Sequence, residues 1–348
     1  MDKRRCKQSG LELSVLGLGC WAFGGGEYWG PRDQKGVNEV VHAAVDMGIN
    51  YFDTAEAYNE GRSESSLGQA IQNIPRDKVI IGSKVSPSNG YYETLLDHCH
   101  ASLNRLNTDY IDIYMIHWPL SPHSIKHFTE NKNVIHKPPG TGEAISALKE
   151  LQHQGKIRHI GISNFGVNRM LELPLKEIAV NELPYNLLSR GIEYEVSPFC
   201  SKYGIGVIGY MALLQGVLGG KYSSLREVPV SRRRTRHFNS NGNPGCRHDE
   251  HGCEQETKEA LAQIRNLAAK NGYSMAELAI KWVISNPVIT CSLAGARTVA
   301  QLEQNVNSVL DQLPGDIIAE LNRITDPVKN KLGPHFDYYE SVENDRTI

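Results

Sequence analysis

The chain of 348 residues is 40% hydrophobic and 22% charged, with a formal net charge of −2. A chain of that length can bury a sizeable core in one large domain or two ordinary ones. The near-neutral balance excludes the concentrated cationic surface that non-specific nucleic-acid binding requires, and no apolar run reaches the roughly eighteen residues of a membrane span. The start, MDKRRCKQSG, is charged and lacks the apolar stretch of a secretory signal. A cytoplasmic protein with small-molecule partners is expected, its seven irregularly spaced cysteines reduced.

In chain order, RRCKQSGLELS reads as a small hairpin turning at Ser9 and Gly10, placed to close the bottom of a barrel. Eight short β-branched or aliphatic runs come next: VLGLGC (15–20), INYFDT (49–54), VIIGSK (79–84), YIDIYMIHW (110–118), IRHIGISN (157–164), IAVNEL (178–183), GVIGY (206–210) and VITCSLAG (288–295). Between them lie stretches such as VNEVVHAAVDMG and GEAISALKELQHQG, with apolar residues at helical spacing. Such alternation implies parallel strands with crossover helices, and eight repeats favour a closed (β/α)8 TIM barrel over a doubly wound open sheet. Extra helices are expected at 256–271 and in PGDIIAELNRIT. Long connections occupy 119–141 and 222–255, both after strand ends, on the rim where such a barrel builds its site. One domain is expected: hairpin 1–14, barrel 15–326 and tail 327–348.

In a parallel barrel all strands end at one rim, so side chains distant in sequence converge there. The second strand delivers Asp53 and its loop Tyr58, the third Lys84, the fourth His117, the fifth Ser163 and Asn164, the sixth Glu182 and the seventh Tyr210. This set suits proton donation to a carbonyl oxygen. A phenol titrates near 10, and a neighbouring ammonium is expected to lower it. Lys84 supplies that charge, Asp53 keeps Lys84 in place and charged, and His117 orients the carbonyl.

The segments DTAEAYNEGRSE with Lys84, YIDIYMIHWP, GKIRHIGISNF, GYMALLQGVLGGKY and AGARTVAQLEQN resemble the aldo-keto reductases, from about Leu16 to Asn305. The resemblance implies a (β/α)8 barrel that reduces an aldehyde, ketone or sugar carbonyl with NADPH or NADH, without metal or flavin. It implies a catalytic tetrad of Asp53, Tyr58, Lys84 and His117, with Tyr58 as general acid. Ser163, Asn164 and Glu182 would contact the nicotinamide carboxamide, and Tyr210 would stack on the ring. Met211, Ala212, Leu213, Gln215, Gly216 and Lys221 would wrap the pyrophosphate. Gly295, Ala296, Arg297, Gln301, Gln304 and Asn305 would hold the adenosine end. Cys20, Trp21 and Asp53 complete the implied cofactor set. Trp21, Tyr58, His117 and Trp118 would face the substrate. Beyond the span of the resemblance, the tail GPHFDYYES offers Phe336, Tyr338 and Tyr339 as a third wall. The forked charge of Arg297 suits a ribose 2′-phosphate, which favours NADPH over NADH. The family commonly has glutamine where Glu182 stands, and an ionised glutamate accepts hydrogen bonds but cannot donate them.

Other motifs read more plainly. GIGVIG (204–209) has the dinucleotide-binding spacing, but its glycines precede and lie within a strand instead of opening a helix. In CRHDEHGC, Cys246, His248, His251 and Cys253 have metal-ligating chemistry without a zinc-site spacing, and a flexible loop closing over the cofactor is expected instead of a metal site. SRRRTR (231–236) reads as a solvated charge run from which one arginine could reach a cofactor phosphate, and Thr298 to Gln301 as a helix-capping box. Two rival functions share the sequence features: a cofactor-binding regulatory or sensor subunit, and an NAD-linked sugar or polyol dehydrogenase.

Overall fold

The structure, a computed structural model, describes residues 1–348. It begins with a hairpin in which β1 (Lys3–Arg5) pairs antiparallel with β2 (Glu12–Ser14). Eight parallel strands then close into a barrel: β3 (Leu16–Gly19), β4 (Tyr51–Asp53), β5 (Ile80–Val85), β6 (Ile111–Ile116), β7 (Ile157–Ser163), β8 (Ile178–Pro184), β9 (Gly206–Tyr210) and β10 (Ile289–Ala294). Pairing of β10 with β3 completes the ring and removes the open-sheet alternative.

The two-residue period of each strand divides side chains between two cores. In β6, Ile113 and Met115 point inward and join Tyr51, Val180, Ile208 and Cys291 in the barrel lumen. Tyr114 and Ile116 point outward beneath the helices. Cys6 and Leu13 of the hairpin belong to the inner cluster and plug the end opposite the strand carboxyl termini, as expected. Tyr51 needs room in this lumen. A Cβ on Gly82 of β5 would lie 2.2 Å from the Tyr51 hydroxyl, so only glycine fits there.

The helices follow from the apolar spacing. In Gln34–Asp46, Val37, Val40, Val41 and Ala44 form the buried stripe, and the Asp33 side chain accepts from the Gly36 amide at 2.8 Å. Between β9 and β10 lie the extra helix Glu254–Asn271 and Met275–Ser285. The last helix, Gly315–Leu332, runs through Pro327 instead of ending at about 325. Proline forfeits one backbone bond there, but Val328 and Leu332 on the same face are buried and carry the helix on. The tail therefore starts at Gly333, not at 327.

From Gly333 the tail returns across the rim, where Gly166 N donates to Thr347 O at 2.9 Å and Arg236 N to Tyr338 O at 2.7 Å. The long 222–255 connection is anchored at its middle and mostly exposed on either side. Thr235, His237 and Phe238 are buried, His237 Nε2 lies 2.9 Å from the Leu188 carbonyl, and Arg236 pairs with Glu250 at 2.9 Å. No helix is long and apolar enough to cross a membrane.

Candidate active site

A cleft of about 760 Å³ opens where the barrel strands end. The backbone delivers its residues: Asp53 closes β4, Lys84 is next to last in β5, His117 follows β6, Ser163 closes β7, Glu182 lies near the end of β8 and Tyr210 closes β9. The loop holding Tyr58 is tied down by Glu56, whose carboxylate accepts from Ser86 N and Asn89 Nδ2 at 2.8 Å each and lies 2.7 Å from His98 Nδ1.

Lys84 is the hub. Its Nζ lies 2.5 Å from Asp53 Oδ1, 3.0 Å from the Thr54 carbonyl, 3.2 Å from the Tyr58 hydroxyl and 3.3 Å from Glu182 Oε1. The lysine itself is fully buried behind the cleft wall. Burial opposes its charge, yet Asp53, Glu182 and Tyr58 together raise its pKa above the ordinary value, so the ammonium persists. The phenol behaves otherwise than expected. Burial pushes Tyr58 up, Lys84 pulls it down, and Asp53 pushes it up again, leaving it above the normal tyrosine value. The ammonium offsets the burial only in part.

The His117 ring centroid sits 5.6 Å from that of Tyr58. Burial first, then Lys84 and Arg346, hold its pKa well below the usual range, so the imidazole is neutral, with one donor and one acceptor nitrogen. Its Nδ1 is buried without a protein partner. Trp21 stacks on Tyr58 at 5.7 Å and on Tyr28 at 5.3 Å, building an aromatic wall. Trp118 also lines the cleft, with the Arg346 guanidinium 3.7 Å from its ring centroid.

Asn164 has a left-handed backbone, φ 64°, a strained state for a non-glycine residue and one that clusters at functional sites. Its Nδ2 donates to Ser163 Oγ and to the His117 carbonyl, and Oδ1 accepts from the Tyr210 hydroxyl at 2.7 Å with a second lone pair to spare. Met211, Leu214 and Gln215 share that backbone region after β9. Farther out the cleft is lined by Ala212, Leu213, Gly216, Lys221, Gly295, Ala296, Arg297 and Gln301. Arg297 places its two terminal nitrogens on the carbonyls of Trp29 and Pro31, at 2.7 and 3.1 Å.

Several expected positions fall elsewhere. Cys20 shares the outward parity of Leu16 and Leu18, packs under the helices and does not reach the cleft. Gln304 is exposed on its helix and does not line the cleft, and Asn305 is buried, its Nδ2 donating to the Gly295 carbonyl at 3.3 Å. Of the tail aromatics only Tyr339 lines the cleft. Phe336 is in the core, and the Tyr338 hydroxyl accepts from Gly191 N at 2.8 Å. Cys246 Sγ points at the Arg233 carbonyl, 3.1 Å away, and Cys253 Sγ lies beside Thr257, so these side chains do not gather into a metal-ligand set. Arg232, Arg234, Arg247 and Arg346 also line the cleft. The first two come from the SRRRTR run, while Arg247 and Arg346 had no signal in the sequence.

A model of the Aldo/keto reductase family matches residues 15–326. The chain belongs to this family. Aldo-keto reductases are NAD(P)-dependent oxidoreductases acting on carbonyl groups. Aldo-keto reductase YhdN of Bacillus subtilis (strain 168) is 33% identical, covering 97% of each chain. The NADH-specific methylglyoxal reductase of Escherichia coli (strain K12) is 31% identical over 85% of this chain and 90% of its own. Among solved structures, an aldo-keto reductase from Klebsiella pneumoniae in complex with NADPH superposes with a TM-score of 0.69 at 27% identity, covering 93% of this chain and 95% of that one.

Proposed function

We propose that this aldo-keto reductase uses NADPH to reduce an aldehyde, ketone or sugar carbonyl, with Tyr58 as the general acid. The observation that carries this reading is the 3.2 Å contact of Lys84 Nζ with the Tyr58 hydroxyl, in a cluster anchored by Asp53. The cleft residues fit a nicotinamide dinucleotide. Its inner end presents an orphaned buried oxygen, Glu182 Oε2, with Ser163, Asn164 and Tyr210, and its outer end presents Lys221 and Arg297 without a carboxylate partner. Ser163, Asn164 and Glu182 would hold the carboxamide, Tyr210 the ring face, the Met211 to Lys221 segment the pyrophosphate, and Arg297 with Gln301 the adenosine end. When bound, the cofactor supplies the hydride to the carbonyl carbon.

The chain's own residues do the rest. His117, held neutral, donates a hydrogen bond to the carbonyl oxygen from one ring nitrogen. Tyr58 hydrogen-bonds the same oxygen and gives up its proton as negative charge develops there. Lys84 stabilises the phenolate left behind, which matters more because the free phenol lies above its ordinary pKa. Asp53 keeps the ammonium charged and fixed. Trp21 and Trp118 exclude water from the substrate. The seven free cysteines suit the reducing cytoplasm, where we place the enzyme.

The test is a spectrophotometric screen of NADPH oxidation across aldehydes, ketones, keto-sugars and quinones, with wild type and Tyr58→Phe in parallel. Turnover of at least one carbonyl by wild type, largely lost in Tyr58→Phe, is expected. Full activity in Tyr58→Phe would refute the role of the phenol.

A further inference from the structure

The ion cluster behind Tyr58 is unbalanced. One ammonium, Lys84, faces two carboxylates, Asp53 at 2.5 Å and Glu182 at 3.3 Å, with side-chain exposures of only 0%, 4% and 3% in that order. Lys84 also reaches the Thr54 carbonyl and the Tyr58 hydroxyl, and Glu182 Oε2 meets no protein donor. The groups that face the two acids are Cys20 just after β3, Tyr51 from β4, Tyr58 from the loop after it, Lys84 from β5, Tyr210 from β9 and Cys291 from β10. Lys84 is the single cation among them. Two ionised carboxylates would leave a net negative charge, and an anionic oxygen without a protein donor, on side chains that are almost fully buried, a costly arrangement of these groups.

We propose that Glu182 carries a proton shared with Asp53, and so positions Lys84 and Tyr58 as a neutral acid and not as a second anion. The effect on Tyr58 rests on the reading of that residue as proton donor. Asp53 keeps the shorter contact with Lys84 and with it the charge. A neutral carboxyl has one O–H donor and a carbonyl acceptor, the same pair of functions a glutamine amide presents, so Glu182 can donate to Asp53 while its other oxygen accepts from Lys84. Burial, and next the charge of Asp53, hold the Glu182 carboxyl well above the usual carboxylate range. Loss of this proton at high pH places a second anion beside Tyr58. The phenol then holds its own proton more tightly, and proton donation falls as pH rises.

Infrared difference spectroscopy on the full-length chain without cofactor tests the proton directly. Wild type minus Glu182→Gln at neutral pH is expected to contain a protonated-carboxyl C=O band, and wild type grown on ¹³C-glutamate should display the same band displaced, which removes dependence on the folding of the variant. Absence of the band in both comparisons overturns the proposal. The pH profile of kcat tests the coupling: Glu182→Gln should move the alkaline limb of carbonyl reduction upward by about one pH unit or more, tenfold in protonation per unit. An alkaline limb identical in both proteins overturns the positioning role. A wild-type chain inactive on every carbonyl would sink the reductase reading while leaving the infrared answer intact.

Discussion

Lys84 Nζ stands 3.2 Å from the Tyr58 hydroxyl and 2.5 Å from Asp53 Oδ1, so the phenol and a carboxylate share one buried ammonium. Removing that ammonium leaves the almost fully buried Asp53 and Glu182 side by side without a cation. Lys84→Met is expected to lower stability by about 3–5 kcal/mol, the cost of a buried charge stripped of its partner. Urea unfolding of the two proteins measures this. A variant as stable as wild type would mean that both acids were already neutral.

Arg297 is the cleft's candidate for a ribose 2′-phosphate, and its present partners are only the main-chain carbonyls of Trp29 and Pro31. Arg297→Ala should weaken NADPH by roughly 10-fold or more, the scale of a lost charge-assisted hydrogen bond. NADH should change by no more than about 2-fold. Fluorescence titration with each cofactor separates the outcomes, and equal losses for both would remove the phosphate role.

Arg346 joins the tail to the site. Its guanidinium is bidentate to Asp337, 2.7 Å on each side, and covers the Trp118 ring. Arg346→Ala strands the buried Asp337 and is expected to cost about 3 kcal/mol, part of which Arg346→Met with Asp337→Leu restores. Thermal unfolding of the single and double variants checks this. The single variant should also alter KM for the carbonyl more than kcat, because the arginine backs a wall and does not meet the transferring proton.

The pair formed by His98 and Glu56 should make the anchoring of the Tyr58 loop pH-dependent. The hydrogen bond and charge of Glu56 raise His98 against partial burial, and Glu56 is lowered because His98, Ser86 and Asn89 outweigh its burial. A raised histidine gives stability that is complete below the unfolded value of about 6.5 and is lost as pH rises through the folded value. The acid's share is present above its unfolded value and fades as pH falls through the lowered one. With the histidine side chain 39% exposed, solvent screening limits the pair to about 1 kcal/mol. The Tm difference between wild type and His98→Ala should therefore be larger at pH 6 than at pH 9, and a difference independent of pH would contradict the pairing.

Much of this architecture can be read from the chain alone. Eight apolar runs of the right length define the strands, and the rule that they end together places Asp53, Lys84, His117 and Tyr210 on one rim. Parity is harder. Cys20 directly follows its strand but faces outward with Leu18, which only the closed barrel reveals. The pairing of Glu182 with Lys84 depends on ring closure bringing β8 toward β4 and β5, and Arg346 reaches Trp118 from a tail whose path no periodicity records. The sign of the Tyr58 shift was hidden for a related reason. A neighbouring ammonium can be inferred from strand ends, whereas the depth of burial that outweighs it is a property of the folded packing.

The most direct test of the proton-donor assignment is single-turnover stopped flow, with enzyme preloaded with NADPH and mixed with the best carbonyl substrate from the screen. Tyr58→Phe is predicted to slow NADPH oxidation by about 100- to 10,000-fold, with its NADPH affinity within about threefold of wild type. A Tyr58→Phe enzyme that oxidises bound NADPH at the wild-type rate would contradict the account.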